Sequence, residues 1–428
     1  MRRNNQRALT ALPGVALSYS TMRTWCGVLL MVMGLARTTA AMEPTADQHP
    51  AVVAASNGFG FRLLQSLKAG QAGNIIVSPV SLAMALAMTQ NGAAGGTRAA
   101  IAKTLGVAAM SASEMNRANR QLLQLLGHAD PSVQLDIANA LWLQSGFAIE
   151  PDFVRVNRES YDAEVRNVDF QGHPDAAAQD VNDWTTLRTH RRIAKIIEPD
   201  SRLRFVVTDA VYFKGRWTEP FDKKETRPRR FYPLNRGPAD IAMMRQTGEY
   251  HYFADVELQA IRLSYGNSRF VMYIFLPRPP LGRLARFVER LTTQRWSDWT
   301  TKLAASEEQR GEIVLPRFER RWGQKLNDEL IRMGMGIAFG SEADFSRAHQ
   351  PPPPLQLSFV IQKTFMKVDE EGTEATAASA VGAVATSMAA PRGEPFEMIV
   401  DHPFFCAVTE QQTGAVLFAG AITNPAAE

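Results

Sequence analysis

Cysteine is nearly absent. Cys26 and Cys406 are the two in 428 residues, and Cys26 lies in a stretch that reads as a removable leader. No disulfide framework can then brace the mature chain, so its stability must come from a core. Cys406, within FFCAV, reads as a small buried hydrophobe. Histidine is sparse too. The seven are scattered, with no His-x-x-x-His and no cysteine at ligand spacing, so no metal site is expected. No Gly-x-Ser-x-Gly elbow occurs. The GAAGG run from Gly92 to Gly96 joins two helical stretches instead of leaving a strand, which makes it a turn and not a phosphate cradle. Asp401-His402 sits against apolar strand residues and reads as structural. With no nucleophile, base and oxyanion donors gathered, nothing supports an enzyme, and no cofactor is called for. A dominant charge is also missing. The net charge is +4, no basic stripe is interleaved with aromatics, and NRANRQLLQLL is only weakly charged. Nucleic-acid and polyanion binding are therefore not expected.

No apolar run is long enough to cross a bilayer as a helix. The longest, WCGVLLMVMGLA from Trp25 to Ala36, follows Arg2, Arg3 and Arg7 and precedes RTTAAM. That is the layout of a secretory signal, cleaved near Ala40 or Ala41. Residues 1–41 are read as that signal, with Met22 a tidier start, and an uncleaved anchor is the alternative. Cys26 lies at the start of the apolar run and not after it, so no lipidation box exists. Residues 42–428 are then expected as a single secreted or periplasmic domain with no stable hold on the membrane. At 45% hydrophobic and 21% charged, that length can bury a large core.

Helical spacing covers Asn57–Leu67. A second helix is expected from Ser78-Pro79, with Ser78 as cap, to Asn91-Gly92. A third, capped by Thr97, closes at Gly106, and the leucines from Leu122 to Leu126 suggest a fourth. Further helices are read near Phe153–Tyr161, at VNDWTTL and over Gly323–Met333. Strands are read at VQLDIANALWLQ, RFVVTDAVYFKGRW, VMYIFLP, EIVLPRFE and LSFVIQKTFMKV. The chain closes in a hairpin turning at Thr413-Gly414. Pro351 to Pro354 reads as a stiff connector. Helices early and strands late argue an α+β fold.

One stretch fits none of this. Glu370–Arg392, EEGTEATAASAVGAVATSMAAPR, lies between two strand-like runs and from Thr373 onward is almost entirely Ala, Ser, Thr, Val and Gly. It has too little apolar area to fold alone. At a period of two, Thr373, Ala375, Ala377, Ser379, Val381 and Ala383 share one small face. It reads as a latent strand able to enter a gap in a sheet, or else as a low-complexity surface loop.

Eight blocks, in order, then resemble the serpin family. They are NIIVSPVSLAMALAMTQNGAAGGT, LDIANALWL, VRNVDF, TDAVYFKGRW, EIVLPRF, ADFS, KTFMKVDEEGTEATAASA and VDHPFFCAV, and the resemblance covers about Val52 to Pro425. The resemblance implies three β-sheets and about nine helices, with an exposed reactive-centre loop at about 371–397 above a five-stranded central sheet. It implies a monomeric, single-use protease inhibitor. A serine or cysteine protease would cleave the loop, and the loop would then insert into the central sheet before the acyl-enzyme is hydrolysed. A non-inhibitory serpin-fold carrier is the alternative.

Residue by residue, Gly372 would be the hinge, and Thr373, Ala375, Ala377 and Ser379 the side chains buried on insertion. The favoured reactive bond is Thr386–Ser387, suited to elastase-like or subtilisin-like targets. Met388–Ala389 would suit elastase-like or chymotrypsin-like enzymes, and Arg392–Gly393 a trypsin-like one. Glu370 would pair with Arg317, and Trp217 would pack beneath that opening. Ser78 and Ser81 would lie under the centre of the sheet. Two residues depart from the family pattern, with Asp209 in place of Asn and Gln362 in place of His at the central latch. A carboxylate facing a carboxamide could keep the latch in altered form, charged or neutral according to burial.

Overall fold

The second helix shows how this sequence builds its interior. PVSLAMALAMTQNG contains no ionisable side chain, and twelve of its residues are buried, so it can only be a core helix. It lies between two sheets, touching strands of both. The computed structural model describes residues 49–70, 73–234, 236–279, 283–350, 352–373 and 394–427.

The helices are α1 (His49–Gly70), α2 (Pro79–Gly92), α3 (Gly95–Leu105), α4 (Ala112–Gly127), α5 (Pro151–Tyr161), α6 (Pro174–Arg188), α7 (Leu284–Glu289), α8 (Thr293–Ala305) and α9 (Asn327–Leu330). The strands are β1 (Ile75–Val77), β2 (Gln134–Gln144), β3 (Glu164–Val168), β4 (Phe205–Arg216), β5 (Arg227–Phe231), β6 (Ala239–Ala254), β7 (Leu258–Tyr265), β8 (Phe270–Pro277), β9 (Glu308–Pro316), β10 (Phe318–Lys325), β11 (Phe359–Asp369), β12 (Gly372–Thr373), β13 (Phe396–Ile399), β14 (Phe404–Glu410) and β15 (Val416–Ile422).

The central sheet has the order β10-β11-β12-β4-β2-β3, and the lower parts of β11 and β4 also pair with each other. The remaining strands run β1-β15-β14-β8-β7-β6-β9-β13, with β5 on β6. Strand β6 is long enough to serve two sheets. Its first half pairs with β5 and β9, and its end pairs with β7. The expected three sheets are therefore present, two of them sharing one strand. The main core fills the space between the central sheet and the β14–β15 hairpin. A smaller cluster, including Trp142, Phe170, Val181 and Ile361, packs α6 on the outer face of the central sheet.

Local departures from the sequence reading have local causes. Ser78 occupies the N-cap position of α2 but makes no side-chain cap bond. The third helix begins at Gly95, so Thr97 lies inside it, and its hydroxyl accepts from the Asp344 amide at 2.9 Å. Gly323–Lys325 is not helical but ends β10, paired to Ile361–Lys363 of β11, and the helix starts only at Asn327. The polar FERRWGQK conceals a strand because it is an edge strand whose side chains alternate between core and water. The chain bends at Pro352-Pro353 instead of running straight.

Candidate functional site

The chain leaves β11 at Asp369, turns through Glu370 and Glu371, and returns as β12. Those two residues wedge between the upper ends of β11 and β4, antiparallel to both: Thr373 stands opposite Val368 and Gly215, and Gly372 opposite Asp369 and Arg216. Gly372 has φ 149°, and a Cβ there would lie 2.1 Å from the Gly215 carbonyl oxygen, so no other residue fits. Thr373 is fully buried, with its Oγ1 2.7 Å from the Tyr265 hydroxyl.

Five neighbours hold this turn. Trp217 stacks on Tyr265 at 4.3 Å, and its Nε1 donates to the Asp369 carbonyl at 2.9 Å. The Trp217 amide donates to the Glu371 carbonyl, and the Phe221 amide to that of Glu370. Glu370 is 3% exposed. Its Oε1 accepts from Thr226 Oγ1 at 2.7 Å and lies 3.6 Å from Arg317 Nη1. The expected Arg317 pair is thus present, but the shorter bond is to Thr226. Glu371 pairs with Lys223.

Below the wedge, β11 and β4 pair directly and in parallel, Phe359–Thr364 against Val206–Val211. Asp209 and Gln362 face each other in this zip, with Asn139 next in line on β2. All three point toward α2, on the side of Val207, Leu141 and Val360. Gln362 Nε2 donates to Asp209 Oδ2 at 2.5 Å and to the Ser78 carbonyl at 3.0 Å, and its Oε1 accepts from the Ser78 amide at 3.0 Å. Ser81 Oγ donates to Asp209 Oδ1, and Asn139 Nδ2 donates to the Ser81 carbonyl at 3.1 Å. Asp209 is fully buried. Burial pushes its pKa up to about 7, against the opposing pull of the Ser81 and Gln362 bonds. The carboxylate–carboxamide contact foreseen from the sequence is made, and both serines beneath it take part, Ser78 through its backbone alone.

Asp401-His402 is structural: His402 Nδ1 lies 2.7 Å from Asp401 Oδ1, and Nε2 lies 2.7 Å from the Pro277 carbonyl. Ala375, Ala377, Ser379, Thr386, Ser387, Met388, Ala389, Arg392 and Gly393 lie outside the described residues, as do residues 1–41, expected from the sequence to be a signal. Sequence reading missed Thr226, Lys223, Tyr265 and Asn139. None belongs to a spacing motif: Asn139 and Tyr265 reach the site from neighbouring strands, and Lys223 and Thr226 from the turn before β5.

A family model described as "Serpin (serine protease inhibitor)" matches residues 54–425. An uncharacterised serpin-like protein of Thermococcus kodakarensis is 35% identical over 381 residues, covering 88% of this chain and 87% of its own. Serpin B3 of Homo sapiens is 30% identical over 390 residues, covering 87% and 98%. Among solved structures, native protease nexin-1 with heparin matches at TM-score 0.78 and 26% identity, over 88% of this chain and all of that one. Thyroxine-binding globulin in complex with thyroxine matches at 0.78 and 23%, a likeness of fold. With the family model spanning most of its length and relatives at 30–35% identity aligned over most of both chains, this chain belongs to the serpin family.

Proposed function

We propose that this protein is an exported, single-use inhibitor of serine proteases, whose loop after Thr373 is cut and then enters the central sheet. The observation that carries this reading is β12. Two loop residues already separate β11 from β4, in the antiparallel register a whole inserted strand would need. Carrying that register downward sets Ala375 and Ala377 on the same inward face as Thr373 and brings Ser379 level with Asp209 and Gln362. No charge or proline falls on that face, so nothing in the sequence obstructs entry. The favoured targets have shallow pockets, elastase-like or subtilisin-like, acting at Thr386–Ser387. Export follows from the signal-like leader.

Incubation with elastase, subtilisin, chymotrypsin and trypsin tests this. An inhibitor yields a covalent complex that survives denaturing electrophoresis, and the mass of the released C-terminal peptide fixes the bond. A protein that is merely nicked, with no complex, would be a serpin-fold carrier instead.

A further inference from the structure

If the loop enters from the top, it must part the β4–β11 pairs in order: Val211–Thr364, Ala210–Lys363, then Asp209–Gln362. The first two positions place Thr364 on the Ile76 carbonyl and Lys363 on the Lys195 carbonyl, bonds that stay on β11's own side. The third is a side-chain bond across the seam itself, between groups that are both fully buried.

The elements packed around Asp209 bring it no counter-charge. Helix α2, β1 and β15 contain no ionisable side chain. Asp136 on β2 is held on the far face by His190, and Lys363 reaches out to Lys195. On β10, Gln324 stands opposite Gln362, and the acid it reaches, Glu329, is engaged by Arg332 at 2.9 Å. On the neighbouring strand, Asn139 stands opposite Asp209 in the β2–β4 register, and its buried Oδ1 accepts no hydrogen bond.

We propose that Asp209 is a proton-operated catch on the central sheet, holding β4 to β11 while protonated and releasing them when ionised. This rests on the inhibitor reading above. Parting the strands lets water reach the carboxyl, and hydration favours the charged form far more than the neutral one. With the closed-sheet pKa near 7 and the opened one nearer an ordinary carboxylate, opening becomes easier as pH rises toward 7 and levels off beyond it.

The test uses the intact protein and a synthetic peptide, TEATAASAVGAVAT (Thr373–Thr386), as the incoming strand. Annealing is followed by native-gel mobility and by the rise in melting temperature. Wild type is expected to anneal at least about tenfold faster at pH 7.5 than at pH 5.5, and Asp209→Asn equally fast at both. Ser81→Ala, which removes a bond that favours the charged form, should move the rise to higher pH and serves if Asp209→Asn does not fold. One shared pH profile for wild type and both variants overturns the catch. If the loop-cleaved protein still melts late in that case, the inhibitor reading stands without it. Absence of annealing at either pH, with cleaved protein melting like intact, overturns both.

Discussion

At the scale of single residues, Asp209 has the clearest consequence. Its pKa is raised on folding, so the folded state binds the proton more tightly than the unfolded one, and that stabilisation is complete below about pH 4. It fades as pH climbs and is gone above about 7. Relative to Asp209→Asn, wild type should therefore lose about 3 kcal/mol between pH 4.5 and 7.5, read as a difference in denaturant midpoints. Trp217→Phe keeps the stack on Tyr265 but deletes the bond to the Asp369 carbonyl. We expect a loss of about 1 kcal/mol, and more where the orphaned carbonyl stays dry. The thiol of Cys406 is buried, and burial pushes its pKa up to about 12. Alkylating reagents at pH 8 should leave its peptide unmodified in mass spectrometry until the protein is unfolded.

At the scale of elements, β12 makes the sharpest prediction. Thr373→Arg would force a long cation into a site where Thr373 is sealed against Tyr265. On the inhibitor reading, insertion should stall and the loop should be cut as a mere substrate, to completion and with little complex on a denaturing gel. Legibility followed the same lines. Helix α2 could be read because its unbroken apolar run has one solution, and β4 because it is buried on both faces. The run from β5 to β7 escaped notice. Its polar residues alternate with apolar ones, and β6 owes its length to partners from two sheets. The latch was legible as a pair of unusual residues. Asn139 and Thr226 were not, since cross-strand register and the reach of a loop are set by tertiary packing.

At the scale of the whole molecule, the inhibitor reading means that the chain can supply the central sheet with one strand more than folding gives it. An added strand gains cross-strand hydrogen bonds on both sides and buries a small apolar face. Cleavage within the loop should therefore raise the melting temperature by more than about 10 °C, which for a domain of this size needs only several kcal/mol. Scanning calorimetry of cut and intact protein checks it. The seam has one more property. Between the seated Thr373 and the pair Val211–Thr364, residues 212–214 of β4 and 365–367 of β11 are not laddered to each other. That unpaired stretch offers backbone groups to a strand from a second copy as well as to one from the same molecule. Warm, concentrated stocks are thus expected to grow into beaded filaments that light scattering would register, and dilute ones to remain as solitary particles.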